Sequence, residues 1–214
     1  KPSAIIDLDV LTVAHWKGNQ KPEADKLLAK VTAKEFYTVT PFILVELLIS
    51  WNDKNLVQRI EDFYSENTDL WLSERKVNEQ AEALGVNLSE LITKLEKKGV
   101  KQEDSVLVVI AALFKIDYLI TFNRKHLLSK KEVINGALGA AGLQQIRIAS
   151  PRELASKENG GSKSDASKIG TKRQLSSLSL LRNLADMPFF ISSANWIGST
   201  FSGIKAFAFH FLSF

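Results

Sequence analysis

The sequence predicts an α/β layer fold on a mainly parallel sheet. Short β-rich runs ("SAII", "FYTVT", "DLWLS", "DYLIT" and "QQIRIAS") alternate with longer helical segments, the pattern of strand–helix–strand crossovers rather than hairpins. "SAII" and "YLIT" are almost continuously apolar, as strands covered on both faces are. Of 214 residues, 45% are apolar and 24% charged, an ordinary globular proportion at a length that holds one domain with material left over.

Each element has its own signal. The first strand ends near Asp7, where acids interrupt the apolar run. Ala14–Trp16 and then Pro22–Lys34 read as helical, with Glu23 and Asp25 in the first turn, where they favour the helix dipole. "FYTVT" stops at Pro41, and Thr40-Pro41 predicts a helix start with Thr as N-cap and Pro at the first helical position. Helices follow over 54–65 and 76–98 around the short "DLWLS" strand, with Gly85 and Gly99 as interruptions or stops. "QEDSVLVVIAALFKI" is an almost wholly apolar helix after Asp104, leading into "DYLIT". A further helix over 124–133, the "QQIRIAS" strand and a closing turn at "PREL" complete a domain ending near Leu154.

Residues 156–179 are rich in Ser, Lys and Gly and read as a linker unable to bury enough apolar surface to fold. Residues 180–214 form an apolar, Ser- and Phe-rich tail. It is long enough for a membrane contact, but its repeated Ser, with Asn195, Lys205 and His210, disfavours insertion. An appendage that binds a partner or aggregates, and a read-through or altered-frame extension, both suit its composition.

The net charge of +4 comes wholly from the C-terminal part: residues 1–155 carry 21 Lys+Arg against 21 Asp+Glu, and 156–214 carry 7 against 3. The high pI therefore argues little for a basic groove in the main domain. Local clusters at Lys94, Lys97, Lys98 and Lys101 and at Arg124, Lys125, Lys130 and Lys131 are the candidates for phosphate contact. Absence of cysteine excludes disulfides and thiolate chemistry and suits a reducing, cytoplasmic setting. The opening "KPSAIIDLDVLTVAHW" lacks the apolar run of a secretory signal. Trp16, Trp51, Trp71 and Trp196 have apolar neighbours and read as core or interface rather than base-stacking platforms.

Glu46 is the only charge in "TPFILVELLISW". Ligands of open parallel sheets bind at the carboxyl ends of the strands, and four positions converge there. Asp7 ends the first strand, and Glu46 lies on the helix leaving the second, within roughly 9 Å of that edge. Asp104 begins the helix that runs back to the strand at 118–121, and Asn123 follows that strand. Asp104 also suits an N-cap, and Asn123 suits a turn. Three carboxylates in one crevice repel unless protonated or neutralised by a cation. With no Cys and few His, the set points to oxygen ligation of Mg²⁺ or Mn²⁺.

The segments "IIDLDVL", "TPFILVELL", "EDSVLVVIAALFKIDYLITFNRKHL" and "IRIASPREL", in that order over about residues 3–155, resemble the PIN-domain ribonucleases, a group that includes the toxins of virulence-associated toxin–antitoxin pairs. The resemblance implies a three-layer α/β/α fold and a Mg²⁺- or Mn²⁺-dependent endoribonuclease, with Asp7, Glu46 and Asp104 as metal ligands. It also implies a small antitoxin partner and a homodimer. Asn123 stands where the family often has a fourth acid, leaving open whether one or two metals bind. Thr121 and Asp9 fall on supporting positions. Arg124, Lys125 and His126 are candidates for RNA contact. The geometric expectation is that the Glu46 carboxylate lies within metal-bridging reach of both Asp7 and Asp104.

Two rival readings stand beside it. A PIN-like RNA-binding or scaffold module without turnover is supported by Asn123. "DLDVLT" also resembles the haloacid-dehalogenase phosphatases, with Asp7 as nucleophile and Asp9 as acid/base, but Leu11 departs from that pattern and no late Gly-Asp acid pair follows.

Overall fold

The structure is a computed structural model and describes residues 1–155. The linker read at 156–179 and the tail at 180–214, with Trp196, lie outside the described residues. Five strands, β1 (Ser3–Ile6), β2 (Tyr37–Pro41), β3 (Leu70–Leu72), β4 (Tyr118–Ile120) and β5 (Arg147–Ala149), form one sheet in the order β3-β2-β1-β4-β5. Every pairing is parallel, with Ala4 opposite Thr38 on one side and Tyr118 on the other. Ala4, Ile5 and Ile6 are wholly buried, as a central strand covered on both faces requires.

The helices are α1 (Leu8–His15), α2 (Lys21–Thr32), α3 (Phe42–Ile49), α4 (Lys54–Asn67), α5 (Glu74–Ala83), α6 (Leu88–Lys97), α7 (Gln102–Leu113), α8 (Lys131–Ala140) and α9 (Pro151–Ala155). Helix α2 packs on α1 and α9, and α1 also meets α4; on the other side α7 packs on α3, α5, α6 and α8. The result is a three-layer α/β/α arrangement. Helix α7 is buried from Ser105 to Leu113, so it has no polar face to show periodicity. No helix among the described residues is long and apolar enough to cross a membrane.

Several boundaries differ from those the sequence predicts, each for a local reason. The chain turns helical directly after Asp7, which occupies the N-cap position of α1, so Asp9 lies in a first helical turn and not on a strand. Pro41 closes β2 and itself stands at the N-cap of α3, while the Thr40 hydroxyl bonds that of Thr68 at 2.7 Å instead of capping. The 76–98 segment is two helices, broken after Ala83 where Gly85 takes a φ of +66°. The helix read at 124–133 is instead a 3-10 turn (Leu128–Lys130) followed by α8. Gly136 and Gly139 inside α8 weakened its signal, since Gly is a poor helix former. Trp16, read as core or interface, is 62% exposed beyond the end of α1, whereas Trp51 and Trp71 are half-buried.

Candidate functional site

The strand order reverses between β1 and β4. β1 pairs with β2 on one side and β4 on the other, so the loops leaving the carboxyl ends of β1 and β4 diverge and open a crevice. Asp7 follows β1, and its N–H donates to the Ile120 carbonyl at 3.0 Å, extending the ladder to the crevice floor. Thr121, Phe122 and Asn123 follow β4.

Thr121 is fully buried and joins the acids. Its Oγ1 stands 2.8 Å from Asp7 Oδ2 and 2.9 Å from Asp9 Oδ2, and accepts the Asn123 N–H at 2.9 Å. A hydroxyl has one proton to donate. One carboxylate can take it; the other faces a lone pair unless it carries a proton itself. Asp9 also receives the Phe122 N–H at 3.1 and 3.0 Å, which favours its ionised form. Asp7 is the natural proton holder: burial, then repulsion from Asp9 and more weakly from Asp104, drives its pKa well above the usual carboxylate range against the Thr121 bond. Burial also raises Asp9, opposed chiefly by the Phe122 and Thr121 bonds. Both adjacent carboxyls are thus held toward their protonated forms, Asp7 the more strongly.

Asp104 enters from α7. Lys101 holds the N-cap position, so capping does not explain Asp104, which is the third helical residue. Its Oδ2 accepts the Asn123 side-chain N–H at 2.9 Å. The Asn123 carbonyl oxygen is turned away, accepting the His126 backbone N–H at 3.0 Å. Asn123 therefore presents a donor to the acids, not a ligand oxygen. Burial pushes Asp104 up to about 6, while His126 and the Asn123 bond oppose the rise.

Glu46 departs from the expected arrangement. The residue is exposed, and the charge that acts on it is Glu74, the first residue of α5. Crowding of protein atoms around its carboxyl, then repulsion from Glu74, lifts its pKa to about 7. Helix α3 begins one residue later than Thr40-Pro41 predicts. Among the described residues, no three acid or imidazole groups stand close enough together to hold a metal ion. The structure gathers Asp7, Asp9, Thr121, Asn123 and Asp104, and pairs Glu46 with Glu74 instead.

Sequence reading passed over Glu74 and Tyr64. Glu74 had a signal: "LWLSE" places an acid just past a strand end, as "SAIID" does. Tyr64 had none, being one aromatic in an amphipathic helix. It is buried under the crevice, its hydroxyl donating to the Ile6 carbonyl at 3.0 Å, and burial with repulsion from Asp7 and Asp9 holds it protonated. Of the predicted RNA contacts, Lys125 is exposed, while the His126 ring turns to the Gly99 carbonyl at 3.3 Å. The Arg124 guanidinium is exposed and has no hydrogen-bond or ion-pair partner among the described residues.

No protein-family model, curated protein or solved structure matches this chain.

Proposed function

We propose that the chain is a divalent-metal-dependent endoribonuclease of the PIN type acting at this crevice. The observation that carries the reading is the gathering of Asp7, Asp9 and Asp104 at the sheet's switch point, all with raised pKa. No basic side chain is hydrogen-bonded to any of them among the described residues. Acids perturbed by burial and by one another in a crevice are the arrangement expected of a functional site.

The donor chemistry fits Mg²⁺ or Mn²⁺: every available ligand is an oxygen, and the accumulated charge calls for a hard cation. Asp7 and Asp104, whose charges act on one another, would hold it. When bound, such an ion activates water and stabilises charge at the phosphorus. Thr121 holds Asp7 and Asp9 in register, and Asn123 holds Asp104. The Phe122 N–H favours the ionised form of Asp9 against the effect of burial, which suits it to accept a proton, and Glu46 with a pKa of about 7 can exchange one near neutrality.

Incubation of the protein with single-stranded and structured RNA plus Mg²⁺ or Mn²⁺ tests this, read as new 5′-phosphate and 3′-hydroxyl ends. Asp7→Asn and Asp104→Asn should each lower the cleavage rate by about 100-fold or more. Unchanged cleavage in both variants sinks the assignment. A small antitoxin partner and a homodimer belong to the same reading, and cytoplasmic RNA would be its substrate.

The Asn123 geometry favours a second reading, an RNA-binding module without turnover. With its carbonyl turned to His126, Asn123 supplies no fourth ligand. RNA binding without new ends under either metal would select it.

A further inference from the structure

A cavity of about 560 Å³ opens beside the acid crevice, between the start of α2, the loop after β4 and the β5–α9 corner. Its lining includes apolar Phe122 and Leu128, the amides Asn19 and Gln20, and the cations Arg124 and Lys131. We propose that this cavity is a nucleotide subsite: a base packs on Phe122, the Asn19 and Gln20 amides meet its edge, and Arg124 takes the adjoining phosphate. For its substrate class, the inference rests on the ribonuclease reading above.

Four observations carry it. The volume lies within the roughly 300–1,000 Å³ of small-ligand pockets and is ample for one nucleoside. Its wall abuts the proposed reacting centre, since Phe122, whose N–H binds Asp9, also lines the cavity. Its other charges are already matched, with Lys131 on Glu153 at 3.2 Å and Arg152 on Glu23 at 3.8 Å, so the Arg124 guanidinium is the cation left to meet an anion. The Asn19 and Gln20 side-chain amides likewise have no partner among the described residues and are exposed at the cavity. An aromatic wall, a free planar cation and two unused amides are the groups that bind an unstacked base and its phosphate. Two neighbouring cations are engaged elsewhere: Lys130 bonds the Lys98 carbonyl at 2.8 Å and Lys101 pairs with Glu103 at 3.3 Å.

Calorimetric titration of the full chain with 5′-AMP, 5′-UMP and ribose 5-phosphate, in EDTA so that no metal participates, tests the site. The nucleotides should bind about five-fold or more tightly than ribose 5-phosphate, because only they have a base to stack. Arg124→Ala should weaken all three ligands. Phe122→Leu, which keeps an apolar wall and the backbone N–H, should weaken the two nucleotides alone. Gln20→Ala should change the AMP-to-UMP ratio, and Glu66→Gln, on an exposed face of α4, should change nothing. Thermal melts confirm that each variant is folded. Absence of nucleotide binding at millimolar concentration, or binding indifferent to both Arg124→Ala and Phe122→Leu, overturns the subsite even if RNA is cleaved. Intact, Arg124-dependent binding without any RNA cleavage overturns the nuclease reading and leaves the subsite standing.

Discussion

Replacing Asp104 with Asn should stabilise the fold at neutral pH while removing the function of the crevice. Burial lifts the Asp104 pKa from the ordinary 3.8 to about 6. As pH rises through 3.8 the unfolded chain releases this proton first, while the folded chain keeps it until about pH 6. The folded state binds more protons throughout that window, so stability falls with rising pH, by about 1.4 kcal/mol per pH unit. The full deficit, reached above pH 6, would be about 3 kcal/mol. Solvent around this half-buried carboxylate screens part of it, leaving about 1–3 kcal/mol. An asparagine keeps the geometry, because its side-chain oxygen can accept the Asn123 N–H that Asp104 now takes at 2.9 Å. Urea unfolding of both proteins in EDTA, from about pH 4 to about pH 7, isolates the effect as a difference that grows with pH. A variant less stable than the parent at neutral pH, or a difference flat across the window, would refute the reasoning. Added Mg²⁺ or Mn²⁺ should raise the neutral-pH melting temperature of the parent and not of Asp104→Asn, since a ligand of the folded state stabilises it by mass action.

Three further outcomes follow from single contacts. Thr121→Val removes the hydroxyl shared by Asp7 and Asp9 and should destabilise by about 1–3 kcal/mol, with Thr121→Ser restoring most of it, as denaturant unfolding would show. Glu74→Gln removes the repulsion on Glu46, so the Glu46 pKa, followed by NMR titration of its side-chain carboxyl, should fall below about 7; an unmoved value would mean burial alone sets it. Gly99→Ala should destabilise by about 1 kcal/mol or more, because Gly99 has a φ of +81° and an added Cβ would stand 2.9 Å from Lys130 Nζ, a loss visible as a lower melting temperature.

Much of the fold was legible because strands buried on both faces leave a local mark. "SAII" and "YLIT" are apolar throughout, and β1 and β4 lie adjacent at the centre of the sheet. Where an element's limits depend on distant contacts, the signal failed. Thr40 had the chemistry of an N-cap, yet Thr68 on another segment took its hydroxyl, and α3 began at Phe42. Nothing within "YTVTPF" could report that partner. Helix α8 was misplaced because Asn123 organises the turn before it through the His126 N–H, a contact that a helix pattern does not encode.

At the crevice, chain order and residue type were enough to bring Asp7, Asp104 and Asn123 to one edge. In a parallel sheet every strand's carboxyl end, and the start of every helix that returns to it, must lie on the same side. That constraint is topological and survives errors of a residue or two in each boundary. Side-chain direction does not survive them. The charge that acts on Glu46 is Glu74 of α5 rather than Asp7 or Asp104, and the direct start of α1 after Asp7 brings Asp9 to Thr121. The residue types and their edge are written along the chain, since topology depends on element order alone. Which carboxylates share a proton is set by angstrom-scale packing, which no local stretch of sequence carries.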